Sequence, residues 1–98
     1  MVKHLILWTL KPAYNTPKIK EGIKNGIESL VGVVPGLIEA QVQITSLPTS
    51  NADVMLYSVL ESAEALKGYA VHPAHVKVAD TLVRPYTAAR ACLDVEVT

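Results

Sequence analysis

The sequence predicts an α+β fold in the order β-α-β-β-α-β, and three observations carry it. Two short stretches, Val2 to Leu10 and Asp53 to Leu60, are apolar on both faces, as strands covered on both sides must be. Two others alternate. Ile38, Ala40, Val42 and Ile44 interleave with Glu39, Gln41 and Gln43, and Ala89, Ala91, Leu93, Val95 and Val97 with Arg90, Cys92, Asp94 and Glu96. Between strands, apolar residues recur at three- and four-residue steps, the period of an amphipathic helix. Doubly apolar strands belong in the middle of a sheet and alternating strands at its edges. With the first and third strands central, this is the ferredoxin-like split βαβ arrangement.

The elements follow in order. Val2, His4, Ile6, Trp8 and Leu10 share one face of the first strand; Lys3, Leu5, Leu7 and Thr9 share the other. After the loop "KPAYNTP", Thr16 suits an N-cap and Pro17 the first helical position, where its missing N–H costs nothing. Ile19, Ile23, Ile27, Leu30 and Val31 form the buried stripe, flanked by Gly22 and Gly26, and Gly32 is a natural stop. The second strand puts Ile38, Ala40, Val42 and Ile44 on its dry face. "TSLPTSNAD" is a loop before the third strand. Ser62 caps a short helix bearing Ala63, Leu66, Tyr69 and Ala70.

His72 precedes Pro73 and is pushed toward an extended conformation, so a new helix starts at the proline with His72 near its cap. From there His75, Val78, Ala79, Leu82 and Val83 fall at steps of three and four, so the His75 ring points inward. The final alternating run closes the sheet.

Ninety-eight residues make one domain, residues 1–98, and 50% of them are hydrophobic. Two helices cover only one face of such a sheet. The other face carries Leu5, Leu7 and Met55, Tyr57 and Val59 or their neighbours, mixed with Gln41 and Gln43. A half-apolar face in water is an interaction surface, so the expectation is a homodimer in which two sheets pack face to face. Nine basic residues balance nine acidic ones, which argues against nucleic acid as a partner. Lys18, Lys20 and Lys24 read as a solvated helix face. The single cysteine, Cys92, excludes an internal disulfide framework and cysteine-rich zinc sites. No apolar run is long enough to span a membrane, and "MVKHLILWTL" lacks a cleavage site of small residues, so a cytoplasmic protein is expected.

The stretch "YAVHPAHVKVAD", Tyr69 to Asp80, concentrates the chemistry. Its two histidines stand at metal-like spacing, but zinc wants three or four protein ligands, and only His4 and carboxylates such as Asp80 are on offer. The proline separates the pair. His75, in the first turn of its helix and partly buried, is held toward the neutral form, the condition for a general base near neutral pH. Tyr69 closes the preceding helix on its buried side, and its hydroxyl needs a partner. If the His4, Ile6 and Trp8 face meets the helices, His4, Trp8, Tyr69 and His75 converge on a mostly apolar pocket with few polar groups. The competing reading is a hydrogen-bonded core histidine with no cavity. No Gly-rich phosphate loop, nucleophile elbow or HExxH motif occurs.

"MVKHLILWTLK", "VVPGL" and "YAVHPAHVKVAD" together resemble the stress-responsive dimeric α+β barrel (Dabb) family over nearly the whole chain. The resemblance implies a ferredoxin-like fold with two sheets closing a barrel across a homodimer. It also implies a small organic ligand and a stress-related role. One plant member, an olivetolic acid cyclase, closes a linear polyketide by a metal-independent aldol condensation. Its catalytic tyrosine and histidine match Tyr69 and His75, and its first-strand pocket histidine matches His4. Its aromatic pocket positions on the first helix fall at Ile23 and Ile27, while Trp8 replaces a smaller residue, so the cavity differs in shape and the substrate does not carry over. The resemblance also raises an oxygenase, a lactone isomerase or a non-catalytic stress protein as alternatives. No cofactor is expected, except that some members hold magnesium on backbone carbonyls matching Val31, Val34 and Leu37.

Overall fold

β1 (Val2–Leu10) and β3 (Val54–Leu60) lie side by side in the middle of a four-stranded antiparallel sheet, with β2 (Leu37–Gln43) and β4 (Thr87–Glu96) at the edges, in the order β2-β3-β1-β4. The computed structural model describes residues 1–97. α1 (Pro17–Glu28), α2 (Ala63–Val71) and α3 (Pro73–Val78) are the helices. The doubly apolar strands are thus central, as their patterning requires. Among the described residues, no helix is long and apolar enough to cross a membrane.

The core lies between the helices and one face of the sheet. Ile6, Trp8 and Leu10 of β1 pack with Ile23 and Ile27 of α1, Val42 of β2, and Val54 and Leu56 of β3. A second cluster, Leu30, Val34, Leu37, Leu60 and Tyr69, closes one end under α2. The helix starts follow local chemistry. Thr16 Oγ1 accepts from the Ile19 N–H at 3.4 Å, and Ser62 Oγ accepts from Ala65 N–H at 3.1 Å.

Three sequence expectations are corrected. α1 ends at Glu28, and Val31 is exposed rather than part of its stripe. Here the chain tightens: Leu30 N–H bonds the Ile27 carbonyl, Val33 N–H bonds that of Leu30, and Gly32 adopts a positive φ of 86°. Ile38 does not share the dry face of β2. The register slips between Leu37 and Glu39, so Leu37 turns inward and Ile38 outward. Lys24, expected to be solvated, docks on β2. Its Nζ donates to the Val42 carbonyl at 2.9 Å and to Glu28 Oε2 at 2.8 Å, and the same Oε2 accepts the Val42 N–H at 2.9 Å. One ion pair thus satisfies both backbone groups of an edge-strand residue, which blunts that edge. The Lys24 hydrogen bond, aided by Val42 N–H, holds the Glu28 carboxyl below its ordinary value, against the opposing effect of partial burial.

The β1–β4 register pairs Lys3 with Val95, Leu5 with Leu93 and Leu7 with Ala91. The apolar alternation of β4 therefore faces away from the helices, alongside Met55 and Tyr57. Gln41 pairs with Tyr57 and Gln43 with Met55, on that same face. Leu7, Met55 and Leu93 are exposed there. The polar residues of β4 point the other way: Arg90, Cys92 and Asp94 pair with Trp8, Ile6 and His4 on the helix side.

The turn entering β2 is conformationally tight. Gly36 has φ 81°, and a Cβ there would lie 2.6 Å from the Ala65 Cβ; Gly32 also has positive φ but faces open space. Gly32→Ala is expected to cost about 1–2 kcal/mol, the left-handed penalty alone. Gly36→Ala is expected to cost about 2–4 kcal/mol, because a steric clash adds to it. Urea denaturation of the two variants checks this, and equal losses would contradict the close approach of α2.

Candidate functional site

The site is assembled by a break in the helical layer. His72 (φ −64°, ψ 132°) is extended; its N–H bonds the Tyr69 carbonyl at 3.2 Å, ending α2, and its Nδ1 accepts from Ala74 N–H at 3.1 Å, starting α3. The reversal folds His75 back over Tyr69. The two rings have centroids 4.2 Å apart at 39°. The His4 ring, from β1, also meets Tyr69, edge-on at 6.1 Å and 67°. After α3 the chain widens into a π turn, Ala79–Val83, which keeps Ala79 and Val83 buried, and then a 3-10 turn, Arg84–Tyr86.

A cavity of about 320 Å³ opens beside these rings. His4, Ile6, Trp8, Ile27, Tyr69 and His75 all line it. Ile23 does not; it is fully buried in the core. Arg84, Thr87 and Arg90 also line the cavity, and sequence reading missed them. Arg90 could have been found only from the β1–β4 register, which sets it opposite Trp8 on the helix side.

Hydrogen bonds fix which ring atoms are free. His75 Nδ1 lies 3.2 Å from the Ala70 carbonyl. A carbonyl only accepts, so Nδ1 carries the proton and Nε2 of the neutral ring keeps its lone pair. His4 Nδ1 is held in the same way by the Asp94 carboxylate. The Tyr69 hydroxyl has no hydrogen-bond partner among the described residues. Among the described residues no side-chain nitrogen or oxygen sealed from solvent lacks a partner, so this hydroxyl is reached by solvent, and Tyr69 lines the cavity. The same holds for His4 Nε2 and His75 Nε2.

The electrostatics separate the pair. Burial pushes the Tyr69 hydroxyl up to about 12, so it remains a proton donor across the physiological range. Burial lowers His75 below its ordinary value. The Ala70 carbonyl opposes this, while the charges of Arg84, His4 and Arg90 reinforce it. A neutral imidazole acceptor therefore faces a protonated phenol.

Two donor sets bear on metals. His4 Nδ1, Cys92 Sγ and an Asp94 oxygen lie within 4.8 Å of one another, on the side of the His4 ring held by Asp94. Cys92 is pushed up, by burial and then by Asp94, which favours the thiol over the metal-binding thiolate. The carbonyls of Val31, Val34 and Leu37 offer the oxygen donors a hard cation takes, though Val34 O already accepts from Leu37 N–H at 3.3 Å. A cation there would tie the turn after α1 together, and none of the three residues lines the cavity.

The His75 shift has a sign that can be measured. The folded chain resists protonating this ring, so just below pH 6.5 the unfolded chain binds more protons, and His75's contribution to stability falls as pH falls. In an NMR titration, His75 is expected to have a midpoint below about 6.5 and, when neutral, its proton on Nδ1. A midpoint at or above that value, or a proton on Nε2, would contradict the arrangement.

The family model of the stress responsive A/B barrel domain (Dabb) matches residues 2–97. Among solved structures, a dimeric ferredoxin-like protein of unknown function from Bacteroides fragilis shares 27% identity at a TM-score of 0.88, over 98% of this chain and 95% of that one. At3g17210 from Arabidopsis thaliana shares 26% at 0.84, over 100% and 96%. Hydroxynitrile lyase from Passiflora edulis shares 15% at 0.83, over 99% and 93%, a likeness of fold alone. No curated protein matches the chain in sequence. Fold, topology and the matched family model agree: the chain belongs to the stress responsive A/B barrel domain (Dabb) family.

Proposed function

We propose that the protein is a homodimer whose cavity binds a small carbonyl compound and transfers a proton at it, with Tyr69 and His75 as the working pair. The observation that carries this reading is the close, tilted Tyr69–His75 pair, 4.2 Å between ring centroids, beside a cavity of about 320 Å³. A carbonyl needs two things at once for enolisation. A base must remove the α proton, and a donor must stabilise the oxygen as negative charge grows. His75 Nε2 supplies the first and the Tyr69 hydroxyl the second. His4, oriented by Asp94, also packs edge-on against Tyr69 and supports the oxyanion end. The enolate so formed attacks a second carbonyl in an aldol closure, or takes back a proton. This follows the cyclase chemistry that the sequence resemblance implies.

The dimer rests on the uncovered sheet face. Leu5, Leu7, Met55, Tyr57, Ala91 and Leu93 form an apolar patch there, with Leu93 59% exposed. Structural neighbours are described as dimeric. A second copy packed sheet to sheet would remove this patch from water.

One observation favours a non-catalytic reading: His75 is bonded to the Ala70 carbonyl, as a structural histidine would be. Catalysis separates the two. A thermal-shift screen of small carbonyl compounds finds ligands by mass action. For a turned-over hit, His75→Ala and Tyr69→Phe are each expected to lower the rate by about 10²-fold or more while the dimer persists. The wild-type rate is expected to rise with pH as His75 loses its proton, below pH 6.5, and then hold level until Tyr69 ionises near 12. Turnover that survives both substitutions rules out the pair. Light scattering tests the assembly: wild type at micromolar concentration is expected to be a dimer and Leu93→Glu a monomer, whereas a monomeric wild type rules out the sheet-to-sheet dimer.

A further inference from the structure

The charged lining of the cavity has one sign. Arg84 and Arg90 line it, and among the described residues no aspartate or glutamate does. Arg84 is partly neutralised by Asp80, one helical turn back. Arg90 has no carboxylate partner among the described residues. Its direction is fixed by register: it sits opposite Trp8, and Trp8 lines the cavity. Both guanidiniums act on His75, since their charges help to keep that ring neutral. Thr87 lies between them in sequence and lines the same wall.

The polar lining of the cavity therefore falls into two sets. One is a phenol and two imidazoles, from Tyr69, His4 and His75; the other is two guanidiniums and a hydroxyl, from Arg84, Arg90 and Thr87. Much of the remaining lining is apolar, with Ile6, Ile27, Leu56 and Val78. A ligand suited to this lining has a reactive carbonyl, a short hydrocarbon part and an anion.

We propose that the cavity takes oxo-carboxylates, with the carboxylate held by Arg90 beside Arg84 and Thr87 and the carbonyl delivered to Tyr69 and His75. This rests on the carbonyl-binding reading above. A guanidinium presents a planar fork that matches a carboxylate through two parallel N–H···O bonds. An isolated surface arginine is usually solvated and weak. Here the pair flanks a largely apolar cavity whose described lining carries no acid, and Arg90 has no ion-pair partner among the described residues, so its field is focused on whatever enters. A volume near 320 Å³ suits a small acid rather than a large nucleotide-bearing conjugate.

The test compares 7-oxooctanoate with its methyl ester, which has the same carbonyl and chain but no charge, by calorimetric titration of the full-length protein. The acid is expected to bind at least tenfold more tightly than the ester. Arg90→Gln is expected to reduce the acid to the affinity of the ester and leave the ester unchanged. Arg90→Lys, which keeps the charge but loses the fork, is expected to retain part of the preference. Arg90 is exposed, and thermal unfolding checks that each variant is folded. Equal binding of acid and ester to the wild type overturns the anion site and leaves the carbonyl pocket standing. A preference that Arg90→Gln retains also overturns it. If neither compound binds, the carbonyl pocket itself is wrong and the anion site falls with it.

Discussion

The site depends on one covalent constraint, the proline at position 73. Its ring forbids the preceding residue the helical conformation and its nitrogen offers no proton. His72 must be extended, α2 must end, and a new helix must start at an angle. His72 makes the break inexpensive by using its side chain as the cap of α3. Without it, one continuous helix would carry Tyr69 and His75 six residues apart, about 120° apart around the axis at 3.6 residues per turn. With it, the two rings pack together, their centroids 4.2 Å apart. The pair that looks like a metal motif in sequence, His72 and His75, is divided between a structural cap and a cavity ring.

The second organising constraint is the one-sided helical layer. Helices on one face leave the sheet with two apolar faces and only one cover. The chain handles the edges differently. At β2, Lys24 and Glu28 reach from α1 to satisfy the backbone of Val42. β4 turns its apolar side chains to the open face and its polar ones toward the helices, which do not extend over it. That inversion has two consequences at once. It completes an apolar patch suited to a second copy of the chain, and it brings Asp94 to His4 and Arg90 to the cavity wall.

Much of this was legible in the sequence, because local rules decided it. Strand and helix order follow from periodicity. Thr16, Pro17 and Ser62 mark helix starts, and the His72–Pro73 break follows from proline stereochemistry. The convergence of His4, Trp8, Tyr69 and His75 also followed, since it needs only the face of β1 that meets the helices. What could not be read depends on long-range register. Ile38 fits the alternation of its strand, yet the slip beside it is set by the pairing of β2 with β3. The Asp94–His4 contact and the placement of Arg90 arise from pairing between residues about 80 or more apart in sequence. Lys24 looked solvated because nothing local reveals an edge-strand carbonyl within its reach. Ile23 and Ile27 share a helix stripe, but only Ile27 reaches the cavity.

The chemical account reduces to a base and a proton donor held on one cavity, with their protonation states kept apart by burial. The most direct test needs no knowledge of the natural substrate. A simple methyl ketone, 2-hexanone, is incubated with the protein in deuterated buffer, and the loss of its α-proton signals is followed by NMR. The account predicts exchange faster than in buffer alone, falling to the buffer rate in His75→Ala. Exchange no faster than buffer, or acceleration that persists in His75→Ala, would contradict it.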